Sequence, residues 1–239
     1  MEKINEENSV SPAQIKLRLK FEKSGAMKYI GHLDVMRYFQ KLFRRAGTDI
    51  AYTTGFHPHQ IMSFANPLGV GIESTGEYMD IAMNSKPDIP SLIESLNREN
   101  VEGFKILDAA LLPEGTGKGM AEVARADYVI SSQQPVTGDM ISSLMEQPEI
   151  NIEKKTKKGM KLMDIKPGIH ELALRDDGSV FMSLSAGSVL NIRPELVLKA
   201  IFDHEGTDIR PFSYHITRLE QYDASGISLL DSGAGGDGK

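Results

Sequence analysis

Cysteine and tryptophan are both absent from the 239-residue chain, and the lack of cysteine is the more restrictive. It excludes a disulfide framework, a thiolate zinc site, a thiol nucleophile and a cysteine-ligated iron–sulfur cluster. Redox or radical chemistry would have to be carried by a partner or a bound cofactor. Long apolar runs are lacking too. No window approaches the roughly 20 residues that span a bilayer, and the polar, acidic start MEKINEENSVSPAQ is not a signal peptide. The chain therefore reads as cytoplasmic, with no membrane partner.

Hydrophobic residues make up 40% and charged residues 25% of the chain, an ordinary globular balance with enough apolar side chain for one large core or two small ones. The formal charge of −6 argues against bulk attraction to nucleic acid, but its distribution is uneven. Residues 1–60 hold ten lysines and arginines against six acidic residues, a local excess of +4 that leaves −10 for the remainder. A basic patch can thus sit on an acidic protein.

Residues 1–13 show no periodicity and are expected to be disordered. From Ile15 apolar and charged residues alternate through Phe21, which predicts a half-buried strand. A helix is predicted over Leu33–Ala46, closed by Gly47. Asp49–Thr53 reads as a short strand. A long Gly/Pro/His-rich stretch then leads to a strand at Tyr78–Met83, a helix over Pro87–Asn97 and a strand at Phe104–Leu112. This βαββαβ order predicts a ferredoxin-like unit over 14–112. Turn residues at 113–120 mark a linker.

A second unit is expected over 121–219. It has a strand at Ala124–Ser131 and a helix at Thr137–Glu146, then a hairpin of Glu149–Glu153 and Met160–Ile165 around KKTKKG. Two strands follow about the turn Asp176-Asp177-Gly178, then a helix from Pro194 to Phe202 and a strand at Ile209–Arg218. The expected fold is α+β, two ferredoxin-like βαββαβ units in tandem, the second with an inserted basic β-hairpin. Residues 220–239 are Gly/Ser/Asp-rich and expected to be an unstructured tail.

Candidate chemistry centres on three histidines. A helical projection turns His32 toward Met36, Phe39 and Phe43, with Asp34 on the opposite, basic face, so the two cannot share a metal. His57 and His59, separated by Pro58, point the same way in an extended segment. No carboxylate lies close by in sequence to complete a metal set, so neither a metal nor a cofactor is assigned. Gly55, Phe56, Pro58, Gly69, Gly71 and Glu73 belong to the loop that would contact a ligand. No phosphate-binding fingerprint is present. Two basic features could hold phosphates: Arg37, Lys41, Arg44 and Arg45 along one helix face, and Lys154, Lys155, Lys157, Lys158 and Lys161 on the hairpin.

Several motifs occur in order: His32-Leu33-Asp34 with Arg37, Arg44-Arg45-Ala46-Gly47, Gly55-Phe56 with Pro58, Pro67-Leu68-Gly69 with Glu73-Ser74, and Glu77-Tyr78 with Asp80. Together with KKTKKGMKLMDIKPGI and SAGSVLNIRPE they resemble a bacterial family of unknown function, the radical SAM-linked proteins, over residues 14–218. Relatives usually carry Ser where this chain has Gly31. The resemblance implies a partner, since such domains are fused to or encoded beside cobalamin-binding-type radical SAM proteins. The expected fold is also similar to that of RAMP-type CRISPR RNA endonucleases, which cleave without metal and commonly use a histidine.

The leading expectation is a non-catalytic accessory or substrate-recognition protein for a separate radical SAM enzyme, contacting RNA. One rival is a metal-independent ribonuclease with His32 or His57 as general acid/base. Another is a pure protein–protein adaptor docking through the loop at Phe56 or Leu68.

Overall fold

The computed structural model describes residues 14–156 and 159–233, except for the side chains at 154–156, 161 and 233. The alternating segment forms β1 (Ile15–Lys23), whose Leu17, Leu19 and Phe21 are buried. Helical spacing places Val35, Phe39, Leu42 and Phe43 on the buried side of α1 (His32–Arg45). There follow β2 (Met62–Phe64), β3 (Glu73–Met83), α2 (Ile89–Glu99) and β4 (Phe104–Leu111). The Asp88 carboxylate caps α2 by accepting from the Ser91 N–H, with Pro90 in the first turn. Within this half β1 pairs antiparallel with β3 and β4, and β2 pairs with β3. Leu19, Met79 and Ile106 form one core with Phe39, Phe43 and Leu96.

Two expectations fail here. Asp49–Thr53 makes only isolated bridges, Ile50 to Met83 and Tyr52 to Gln60, rather than a strand. The strand expected from Tyr78 begins at Glu73, and the loop before it contains the three-residue β2.

The second half starts with α3 (Gly119–Glu122), reaching out of the expected linker, and β5 (Arg125–Ser132). Next come α4 (Gly138–Glu146), capped by the Thr137 side chain, and the separate hairpin β6 (Asn151–Thr156) with β7 (Gly159–Asp164). Then follow β8 (Ile169–Leu174), β9 (Val180–Ser185), α5 (Pro194–His204) and β10 (Tyr214–Tyr222). Between β8 and β9, Asp177 accepts from the Ser179 N–H and Gly178 takes a φ of 79°. The last strand begins at Tyr214 rather than Ile209, because Pro211 and a left-handed Phe212 (φ 60°) interrupt extended backbone. Tyr128, Ile130, Met182, Leu198 and Ile201 belong to the larger core.

Both halves share one eight-stranded mixed sheet of order β4-β1-β3-β10-β5-β9-β8, with β2 also on β3. The junction is the parallel pairing of β3 with β10, Glu73 opposite Thr217 and Ser74 opposite Arg218. Both strands are bulged there. An extra residue of β3 falls between the positions facing Phe21 and Lys23, and an extra residue of β10 between those facing Tyr128 and Asp127. The bulges sort the polar side chains of the junction.

Arg218, wholly buried, donates to both Glu77 oxygens and to the Asn66 carbonyl. Glu220 accepts from the Tyr78 hydroxyl (2.6 Å) and from Lys20 (2.5 Å). Arg18, also wholly buried, forks onto Asp80 and donates to Glu122 and the Leu229 carbonyl. Leu229 is the first residue of α6 (Leu229–Gly233) and is itself buried. The expected tail is thus structured through residue 233: β10 runs to Tyr222 and α6 follows. Among the described residues no helix is long and apolar enough to cross a membrane.

Candidate functional site

A groove of about 830 Å³ lies where the two halves meet. Its walls are the turn at Lys28 and Tyr29, the Gly-rich loop at Val70–Ile72, the end of β5 at Ser131–Gln133, Glu195 of α5, and residues 211–216. Tyr29, Val70 and Phe212 hold their side chains out at 67%, 62% and 97% exposure. Phe212 does so on left-handed backbone, a conformation costing a non-glycine residue about 1–3 kcal/mol. The segment is held by Gln134, whose side-chain oxygen accepts from the Arg210 N–H and the Ser213 hydroxyl. At the facing wall the Gly71 N–H donates to the Lys28 carbonyl, and Gly71 takes a φ of 90°.

Charge is concentrated on one wall. Glu73 accepts from Lys28 Nζ (3.1 Å) and the Gly25 N–H (3.1 Å), and pairs with His215 Nε2 at 3.0 Å. Partial burial opposes ionisation of Glu73, but the bonds from Lys28 and His215 outweigh it and hold the carboxyl below its usual range. Arg193 and Arg210, close in sequence to the lining residues Glu195 and Pro211, are exposed. Burial, reinforced by Glu195, raises the Tyr214 phenol, so it stays protonated.

His32 lies in a separate narrow crevice with Phe21, Lys23, Val35, Phe64, Pro67, Leu68 and Glu77. Its ring meets Phe64 edge-on at 5.0 Å, facing the core edge as the helical projection predicts. Lys23 is 2% exposed and donates to the Ile30 carbonyl. Burial first, then the Lys23 charge, holds His32 below the ordinary 6.5. The folded state therefore takes up this proton less readily than the unfolded chain. Its contribution to stability is present above the unfolded value and is lost as pH falls through the folded one. An NMR titration is expected to place His32 below 6.5 in the native protein and to move it upward in Lys23→Met. A native midpoint at or above 6.5 would contradict this account.

Of the residues singled out from sequence, Gly71 lines the groove and Glu73 buttresses it. Gly69 is neighboured by Ile72, and it is Val70 rather than Gly69 that meets the groove. His57, His59, Gly55, Phe56 and Pro58 occupy the 53–59 hairpin loop and do not line it. There His59 is tied to Thr53, and Phe56 is fully exposed. The structure therefore does not bring His57 and His59 together with His32, and among the described residues no cluster of three or more His, Asp or Glu could hold a metal.

On α1, Arg37 pairs with Asp34, Arg45 with Glu99, and Arg44 donates to the Gln40 carbonyl, while Lys41 is exposed; none lines the groove. Lys154 and Lys161 are paired residues of β6 and β7, as are Lys155 and Met160. The side chains of Lys154, Lys155 and Lys161, and all of Lys157 and Lys158, lie outside the described residues. Sequence reasoning missed Lys28, Tyr29, Phe212 and His215. The signal for Phe212 was an aromatic after Pro211 in a polar turn.

Fold and groove together define an α+β protein whose two halves share a sheet and leave an aromatic-rimmed groove at their junction. The family described as an uncharacterized protein conserved in bacteria (DUF2344) matches residues 16–194, and the chain belongs to it. Radical SAM enzymes are no part of that description. No curated protein matches.

Among solved structures, a Cbf5–Nop10–Gar1 complex is similar at a TM-score of 0.45 and 10% identity, over 87% of this chain and 50% of that one. An H/ACA RNP bound to a substrate RNA containing 2′-deoxyuridine reaches 0.42 at 8% identity, over 87% and 49%. A pseudouridylate synthase reaches 0.36 at 11% identity, over 93% and 73%. The chain spans about half the length of the first two. Likenesses this low carry no argument about function.

Proposed function

We propose that this protein recognises single-stranded RNA in the groove between its halves and works in the cytoplasm as an accessory to a radical SAM enzyme. The observation that carries the RNA reading is the trio Tyr29, Val70 and Phe212, two aromatic rings and a valine held in solvent around a groove with Lys28 and His215 on its wall. Exposed rings, Phe212 on strained backbone, are what base stacking uses, and the neighbouring Lys28 ammonium suits a phosphate chain. Arg37, Lys41, Arg44 and Arg45 and the lysine hairpin would add contacts beyond the groove. The accessory role is supported by the motif resemblance. We read the two halves, 14–112 and 121–219, as ferredoxin-like units, supported by matching strand orders β4-β1-β3-β2 and β10-β5-β9-β8.

Fluorescence anisotropy with a labelled single-stranded RNA of mixed sequence tests the reading. Tyr29→Ala and Phe212→Ala should each weaken binding by about 5- to 100-fold, the worth of one stacked base. Phe56→Ala, outside the groove lining, should leave affinity unchanged. Absence of RNA binding at low salt would overturn the proposal.

A further inference from the structure

The groove wall holds more than binding requires. Four histidines are bonded to other side chains: His59 to Thr53 (3.1 Å), His170 to Ser185 (3.0 Å), His204 to Ser143 (2.9 Å) and His215 to Glu73 (3.0 Å). Among the described residues only His215 has a carboxylate partner. The Glu73 carboxylate fixes the ring: Nε2 carries the hydrogen and donates to it, which leaves the lone pair on Nδ1. Lys28 Nζ donates to that nitrogen at 3.5 Å and to Glu73 at 3.1 Å. The His215 side chain is 39% exposed, against 22% for Glu73 and 18% for Lys28. The ring is thus the most exposed of the three, and a phosphate that draws the Lys28 ammonium away would free the base nitrogen, while the group that orients it is shielded.

We infer that the groove cleaves the RNA it binds, with His215 as general base and Lys28 as the cation at the reacting phosphate; this rests on the RNA reading above. His215 Nδ1 takes the proton of a ribose 2′-hydroxyl, and the 2′ oxygen forms a bond to the adjacent phosphorus. The bond from phosphorus to the 5′ oxygen breaks, and its electron pair stays on that oxygen, which takes a proton from the Lys28 ammonium. Solvent exchange moves the proton from His215 back to Lys28. The products are a 2′,3′-cyclic phosphate and a 5′-hydroxyl, and the step balances without a co-reactant. Lys28 also offsets charge growing on the phosphoryl oxygens. Glu73 touches no reacting atom and is a positioning residue.

The test incubates the full chain, in EDTA, with a labelled single-stranded RNA and with the same strand carrying 2′-O-methyl groups throughout. Both strands should bind, and only the first should be cut, leaving 2′,3′-cyclic phosphate ends. At saturating RNA, His215→Gln should slow cleavage at least about 100-fold, the usual contribution of a general base. Glu73→Gln should slow cleavage less and move the acidic limb of the pH–rate profile downward, a shift that loss of packing alone would not produce. Wild-type protein that binds RNA and leaves it intact overturns the inference and spares the binding reading. So does cleavage by His215→Gln at the wild-type rate, or cleavage of the methylated strand. Wild-type protein that binds neither strand overturns both.

Discussion

Arg218→Met is expected to destabilise the fold by about 3–5 kcal/mol, measured as a lowered midpoint in urea denaturation with an unchanged slope. The arginine side chain is 2% exposed and that of its partner Glu77 is 5% exposed. Burial acts against the Arg218 charge, and the Glu77 carboxylate with the Tyr128 hydroxyl outweighs it and keeps the guanidinium ionised. Removing the cation strands the Glu77 carboxylate, and also the Asn66 carbonyl that accepts from Arg218. The loss is that of a buried charge left with only Lys23 near it, rather than of one hydrogen bond. The double variant Glu77→Leu with Arg218→Met removes both charges and should recover a large part of the loss. A double variant no more stable than Arg218→Met would show that the junction needs the ion pair itself.

Gly76→Ala is the second large effect, and it acts through backbone. A Cβ at this position would lie 2.4 Å from the Leu219 carbonyl oxygen and 2.7 Å from the Glu220 Cα. Neither is a side chain that can swing away. β10 would have to retreat from β3, weakening the Gln221 donation to the Gly76 carbonyl (2.6 Å) and the bonds Glu220 makes to Tyr78 and Lys20. Overpacking costs about 1–3 kcal/mol where side chains can adjust, and the cost here should lie at or above the top of that range. Thermal melting measures it. A melting temperature equal to wild type would mean that the two strands do not approach this closely in solution.

The sequence spoke clearly where local pattern decides structure. Alternation marked β1, helical spacing marked α1, and the Asp176-Asp177-Gly178 turn marked the β8–β9 hairpin. It was silent where pairing is long-range. The segment Glu73–Glu77 is polar and glycine-containing, so it looks like loop; it is strand because β10, some 140 residues onward, lies against it. β2 is too short to show alternation and sits between Pro58 and Pro67. Ile209–Pro211 has strand-like composition, but its proline cannot donate to a ladder.

For the site, Gly71 and Glu73 were legible because glycine and a carboxylate in a long loop draw notice. His215 and Phe212 were not, since nothing local connects them to Lys28 or Tyr29. The motif residues Glu77, Tyr78 and Asp80 carried a different message from the one their chemistry suggested. Glu77 accepts from Arg218 and Tyr78 donates to Glu220, fastening one half of the molecule to the other, while Asp80 braces Arg18, which itself reaches across to Glu122 and Leu229.

Parallel pairing of β3 with β10 also decides how the halves can move. Units joined by a linker rock against each other by default. Here backbone pairing crosses the boundary, and so do ion pairs of Arg218 with Glu77, Lys20 with Glu220 and Arg18 with Glu122. The groove is a notch in one slab rather than a jaw between two. A ligand meets walls already spaced, so most of the entropy lost on binding is the ligand's own. The Arg210–Ser213 turn that carries Phe212 is latched by Gln134 as well, so the aromatic rim is set along with the walls.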